Sequence, residues 1–169
     1  MRNHFELFGL VPAYALDPAQ LERAYREIQS TVHPDRYAHA GDAERRASMQ
    51  MTTQVNEAYR TLNSPVQRAR YLLEMNHVDV ALETDTAMPT EFLLGQMELR
   101  EQLEQARSVD ALRGLQENLA MQKKDLEEQL AEQIDRRKDF AGASGLVRKL
   151  MFLERFGEEI DAAYESLEA

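Results

Sequence analysis

"DPAQLERAYREIQSTVHPDR" (Asp17–Arg36) carries a helix start, an apolar stripe and an abrupt stop in one short run. Asp17 can cap the first free amides of a helix, and Pro18 suits the first helical position, where its missing N–H costs nothing. Leu21, Ala24, Tyr25, Ile28 and Val32 recur at helical spacing, with Arg23, Arg26, Gln29 and Ser30 on the other side. Pro34 ends the pattern, because its ring disfavours helical geometry in the residue before it. The stop leaves His33-Pro34-Asp35 on a turn, with Arg36 and His39 close behind.

Two histidines and an aspartate so close together raise two chemical readings. His33, Asp35 and His39 are plausible metal ligands, yet they lack the spacing of zinc motifs, and no cysteine or acidic cluster completes the set. Hydrolysis fares no better. Pro34 separates His33 from Asp35, so their side chains need not converge, and the chain has no nucleophile elbow and no glycine-rich phosphate loop. The plain alternative is a helix stop, with His33 favoured near the negative end of the helix dipole. A metal-dependent hydrolase is the competing class. The expectation is no catalytic residue, no cofactor and no metal site.

Working outward, a second helix starts near Asp42 after Gly41, with Met51, Val55, Ala58, Tyr59 and Leu62 as its stripe. Asn63-Ser64-Pro65 stops it and opens a short helix carrying Ala69, Leu72 and Leu73. Two long helices joined by a short polar loop should lie antiparallel with stripes facing. Residues 76–89, "NHVDVALETDTAMP", lose periodicity and read as a linker between a module at 1–75 and another at 90–169. After Thr90, read as a cap, come three helices. The first spans about Glu91 to Ala106. The second buries Leu112, Leu115, Leu119, Leu126, Leu130 and Ile134. "FAGASG" (Phe140–Gly145) reads as a break, and the third then carries Leu146, Leu150, Leu153, Ile160, Ala163, Tyr164 and Leu167. The whole is all-α, a helical hairpin followed by a three-helix bundle.

Composition agrees and excludes. The chain has 169 residues, 43% hydrophobic and 30% charged, with 7 glycines and no cysteine. That supports a helical core, disallows thiolate chemistry and fits a reducing compartment. The N-terminus has no signal-peptide pattern, and no apolar run approaches the roughly 20 residues that span a bilayer. A cytoplasmic protein with no membrane partner is expected. Lys and Arg balance Asp and Glu at 9 each up to Glu74, so all of the net −10 falls in the second half. That half would repel nucleic acid.

The first half resembles a J domain, the module that activates DnaK-type chaperone ATPases. "HFELFGL" resembles its opening, "LERAYREIQSTVHPDR" its second helix and loop, "VNEAYRTLNSP" its third helix and stop, and "QRARYL" its last helix, through Arg68, Ala69 and Tyr71. The resemblance implies that His33, Pro34 and Asp35, with Arg23, Arg26 and Arg36, meet the chaperone. Glu22 and Glu27 stand where lysine is common, which thins the basic face and implies a specialised chaperone. With no glycine/phenylalanine-rich linker, no cysteine-rich region and an acidic bundle behind, the chain resembles the HscB family over essentially its full length. "FLLGQMELREQLEQA" and "VRKLMFLERF" carry the C-terminal part of that likeness. The resemblance implies a co-chaperone bridging an HscA-like chaperone and an IscU-like iron–sulfur scaffold. A J protein serving another client is the alternative within the class.

The helix from Glu91 has a reading of its own. At about 100° per residue, Phe92, Gln96, Leu99, Leu103 and Ala106 gather within roughly 40° of one direction, a sufficient core stripe. Leu93, Met97 and Leu94 fall too far round to share it, and Glu98, Glu101 and Gln105 edge them. These residues either pack on a neighbour or form a docking face whose acidic rim selects a basic partner. The resemblance implies docking, by Leu93, Leu94, Met97, Glu98 and Glu101. Phe152 is a further candidate, and Gln105 stands where relatives commonly carry an acid.

Overall fold

The structure is a computed structural model that describes residues 2–80 and 88–169. The described residues contain seven α-helices and no strand. They fall into two compact units, one running to Leu72 and the other from Leu73 onward. Of the linker expected over 76–89, residues 81–87 lie outside the described residues.

In the first unit, α1 (His4–Leu7) is one turn held at both ends. Asn3 and Glu6 form a capping box. Gly9, at φ 67°, closes the other end: its N–H donates to the Glu6 carbonyl, and that of Leu10 to Phe5. This left-handed position is one that glycine adopts freely. Helix α2 (Pro18–Val32) starts as expected, with the Asp17 carboxylate accepting from the Ala19 amide at 3.0 Å. Helix α3 (Asp42–Asn63) runs antiparallel to it, since Tyr25 meets Asn56 and Tyr59 while Val32 meets Ser48. Phe5, Phe8, Leu21, Val55, Ala58 and Leu62 are buried in this unit. Helix α4 (Pro65–Met75) follows the Ser64-Pro65 stop. Its Arg68 donates to the carbonyls of Tyr14 and Leu62, each at 2.7 Å, and lies over the Tyr14 ring.

Met51 departs from the expected stripe of α3 and is exposed, whereas Ser48, one turn earlier, is buried. The reason is local. The Ser48 hydroxyl donates to the Val32 carbonyl at 2.6 Å, so a polar residue fills the position facing the end of α2.

In the second unit, α5 (Thr90–Gln105), α6 (Val109–Ala131) and α7 (Phe140–Glu168) form an up-down-up bundle. Gln116 meets Tyr164, and a β-carbon on Gly157 would touch Leu119, which sets α6 and α7 antiparallel. Arg100 pairs with Glu159 and Phe92 with Phe152, which sets α5 and α7 parallel. The six residues expected on the inner face of α6 and its extension are all buried.

Two expectations fail in this unit. Phe140–Gly145 is no break; it is the first part of α7, and the turn lies earlier. Residues Glu132–Arg136 widen into one π-helical turn, and Lys138 takes φ 54°. Asp139 then caps α7 through the Gly142 amide at 2.9 Å. Two glycines cost a helix roughly 1 kcal/mol each, but the cap and the burial of Ala143, Ser144 and Val147 oppose that cost. A β-carbon at Gly142 would displace the ends of the Asp139 and Gln133 side chains, so glycine leaves the cap in the position seen here. At the far end of α7, Leu167 is exposed, and Phe156 supplies core that the expected stripe omitted.

Candidate functional site

The His33 turn is built by α2 and held by α3. Helix α2 ends at Val32, whose carbonyl has no partner within its own helix because Pro34 ends the regular geometry. Helix α3 supplies one through Ser48. Thr52 also approaches that carbonyl, at 3.2 Å, but its single hydroxyl proton has a shorter acceptor, the Ser48 carbonyl, at 2.8 Å. Ser48 therefore carries most of the attachment. Pro34–Tyr37 continue as a 3-10 turn packed on α3.

Within that turn, His33 Nδ1 accepts from the Asp35 amide at 3.2 Å and lies 3.5 Å from the Asp35 carboxylate. The two side chains lie close together, although the intervening Pro34 does not itself require it. Because Nδ1 acts as acceptor, the neutral ring carries its proton on Nε2. Asp35 is 92% exposed in its side chain and His33 47%. His39 is exposed, and among the described residues no group of three His, Cys, Asp or Glu side chains could hold a metal ion. The arrangement presents a hydrogen-bond donor and a carboxylate from a pinned turn.

Arg23, Arg26 and Arg36 are exposed. Arg26 pairs with Glu22 at 2.6 Å, so one of the two acidic departures named above touches a candidate docking cation directly. An exposed i,i+4 pair is worth only about 0.3–0.5 kcal/mol, so Arg26 can be drawn away at little cost.

At the other end of this unit, His4 stacks on Tyr71 at 4.3 Å. Burial pulls the imidazole below its usual range, and the Glu57 carboxylate partly opposes the shift.

In the second unit, α5 divides as its helical phase requires. Gln96 and Leu99 are buried, and Phe92 packs edge-on against Phe152 at 6.1 Å. Leu93, Leu94 and Met97 are 39%, 54% and 60% exposed. Within its own unit, the described residues leave this face largely uncovered. Glu98, Glu101 and Gln105 are exposed around it, and among the described residues no cation lies within ion-pairing distance of Glu98 or Glu101. Phe152 is half-buried, and its ring contact is with Phe92, on the core side of α5. Sequence reasoning missed Ser48, whose role depends on a carbonyl from another helix. Its one available signal was a small hydroxyl residue at a stripe position.

The hairpin and its pinned His-Pro-Asp turn define a class, the J-domain proteins. The DnaJ domain family matches residues 3–71, and the family described as the HSCB C-terminal oligomerisation domain matches residues 88–161. The chain belongs to the HscB co-chaperone family. The co-chaperone protein HscB homolog of Aromatoleum aromaticum is 46% identical, over 99% of this chain and 96% of that protein. Its counterpart in Burkholderia vietnamiensis is 49% identical, over 98% and 96%. Among solved structures, chaperone HscB from Vibrio cholerae superposes with a TM-score of 0.86 at 32% identity, covering 98% of this chain and 99% of that one. Human co-chaperone protein HscB superposes at 0.90 and 28% identity, covering 96% and 82%.

Proposed function

We propose that this protein is a two-module adaptor with no chemistry of its own. Its J domain would engage an HscA-like chaperone of the DnaK type, and its acidic bundle an IscU-like iron–sulfur scaffold. Bringing the two together stimulates the chaperone's ATPase and promotes cluster transfer and protein maturation. The observation that carries the reading is the His33–Asp35 turn, exposed at its polar atoms and pinned from behind by Ser48. A turn so held can act on a partner without reorganising, because contacts made better with one state of the ATPase shift its equilibrium toward that state. The bundle contributes effective concentration, since a scaffold held on Leu93, Leu94, Met97, Glu98 and Glu101 reaches the chaperone as a tethered client. Phe152 and Gln105 would contribute at its edge. No described helix is long and apolar enough to cross a membrane, in keeping with the cytoplasmic setting proposed for these partners.

Phosphate release by a purified DnaK-type ATPase, with and without scaffold, tests the reading. The protein should accelerate release, and His33→Gln should abolish the acceleration while scaffold binding and melting temperature stay as in the wild type. An ATPase rate indifferent to the wild-type protein overturns it.

A further inference from the structure

A cleft of about 360 Å³ opens beside the first two turns of α5, bounded across the bundle by Gln122 of α6 and Lys149 of α7. By helical phase it lies on the opposite flank of α5 from Leu93 and Met97. Gln96 lines this cleft. It is only 5% exposed, and no hydrogen bond of its side-chain amide is found among the described residues. A primary amide is both donor and acceptor, and neither atom of this one is among the fully buried side-chain atoms that lack a partner, so both keep contact with the solvent of the cleft.

Two positive features face the same space. The Lys149 ammonium lies 5.6 Å from the Phe92 ring centre, and among the described residues no carboxylate comes within ion-pairing distance of it, although this half of the chain is acidic. Among the described residues, no side chain caps helix α5. Thr90, expected to cap it, is its first helical residue, and Pro89 at the cap position contributes no side-chain hydrogen bond. The first-turn amides therefore keep their partial positive charge, which favours an anion. Glu91, on the rim, works against a doubly charged ligand and can accept an N–H. The span from the first-turn amides to Gln96 is about 6 Å along the helix axis at 1.5 Å per residue. A ligand that satisfies both ends needs one carboxylate and, a side-chain length away, a group that both donates and accepts.

An aspartate or glutamate within a peptide has that composition. We propose that this cleft is a binding site for an acidic side chain of a peptide segment. The carboxylate sits against Lys149 and the α5 N-terminus, and the neighbouring peptide unit pairs with the Gln96 amide. This site is additional to the Leu93–Met97 face and does not depend on the scaffold reading.

The test uses the full-length protein labelled with nitrogen-15 and the acetylated, amidated tripeptide Ala-Glu-Ala. Its Ala-Gln-Ala counterpart and free succinate serve as comparisons. The Gln96 side-chain amide signals should shift saturably with Ala-Glu-Ala and at least tenfold more weakly with either comparison. Lys149→Met should weaken binding tenfold or more. Gly95→Leu should abolish it, since a β-carbon at Gly95 meets open space beside the cleft. Both substitutions fall on partly exposed positions, and an unchanged melting temperature confirms the fold. No saturable shift would mean that water alone serves Gln96, and equal affinity for the glutamine peptide or for succinate would remove the acidic-peptide assignment. Either result overturns the proposal, as does indifference to Lys149→Met.

Discussion

Replacing Leu93 and Met97 together by alanine should weaken scaffold binding without touching the fold. The two side chains leave 39% and 60% of their surface in water, about one whole apolar side chain between them. Covering one such side chain is worth about 1.5–3 kcal/mol. Alanine keeps the β-carbon, so the double substitution should forfeit about 1–2.5 kcal/mol, a rise in Kd of roughly 5- to 70-fold. Exposed positions of this kind alter stability by no more than about 0.5 kcal/mol, so the melting temperature should hold. Titration calorimetry against a purified iron–sulfur scaffold reads the first quantity, and a thermal melt the second. A Kd within twofold of the wild type would refute the assignment of this face. A melting temperature lowered by more than about 5 °C would show instead that the two side chains support the bundle.

Ser48→Ala should leave the Val32 carbonyl without its strongest donor, at a cost of about 1–3 kcal/mol, and should lower ATPase stimulation although Ser48 is too buried to meet the partner. Denaturant unfolding and the phosphate-release assay check it, and full stimulation by a destabilised variant would separate the anchor from function. Glu154 offers a pH test. Burial raises its carboxyl above the usual 4.5, Lys123 opposes the shift, and Glu158 and Glu127 add to it. The folded state therefore holds this proton more tightly than the unfolded state, and it loses stability as pH climbs from 4.5 through the raised value. Glu154→Gln should raise the melting temperature at pH 7 and give no gain at pH 4; equal effects at both would exclude titration as the cause.

Much of the fold is legible because burial is periodic. Leu112 through Ile134 mark the inner face of α6 and its π-helical end, and the structure buries each one. The same arithmetic placed Leu93, Leu94 and Met97 off the core stripe of α5, where the structure exposes them. What escaped depends on partners distant in the chain or on local chemistry overriding composition. Phe140–Gly145 looks like a break from its two glycines, but Asp139 caps the helix through the Gly142 amide, and Ala143 and Val147 are core. Ser48 looks like a surface hydroxyl until the end of α2 is placed against it. Gln96 was rightly read as inward-facing, but only coordinates show that it lines a cleft and that its side chain has no hydrogen bond among the described residues.

The Ser48 anchor also divides the loop between α2 and α3 into two parts with different freedom to change. Up to Tyr37 the backbone is tied to α3, whereas Ala38, His39 and Gly41 are exposed, and Gly41 makes no side-chain cap for α3. Insertions or deletions in the second part can be absorbed without moving His33. The loop can thus vary in length among descendants of one ancestor, while the three residues a chaperone would read keep one shape. An inserted epitope or fluorescent tag at Ala38–Gly41 inherits the same tolerance.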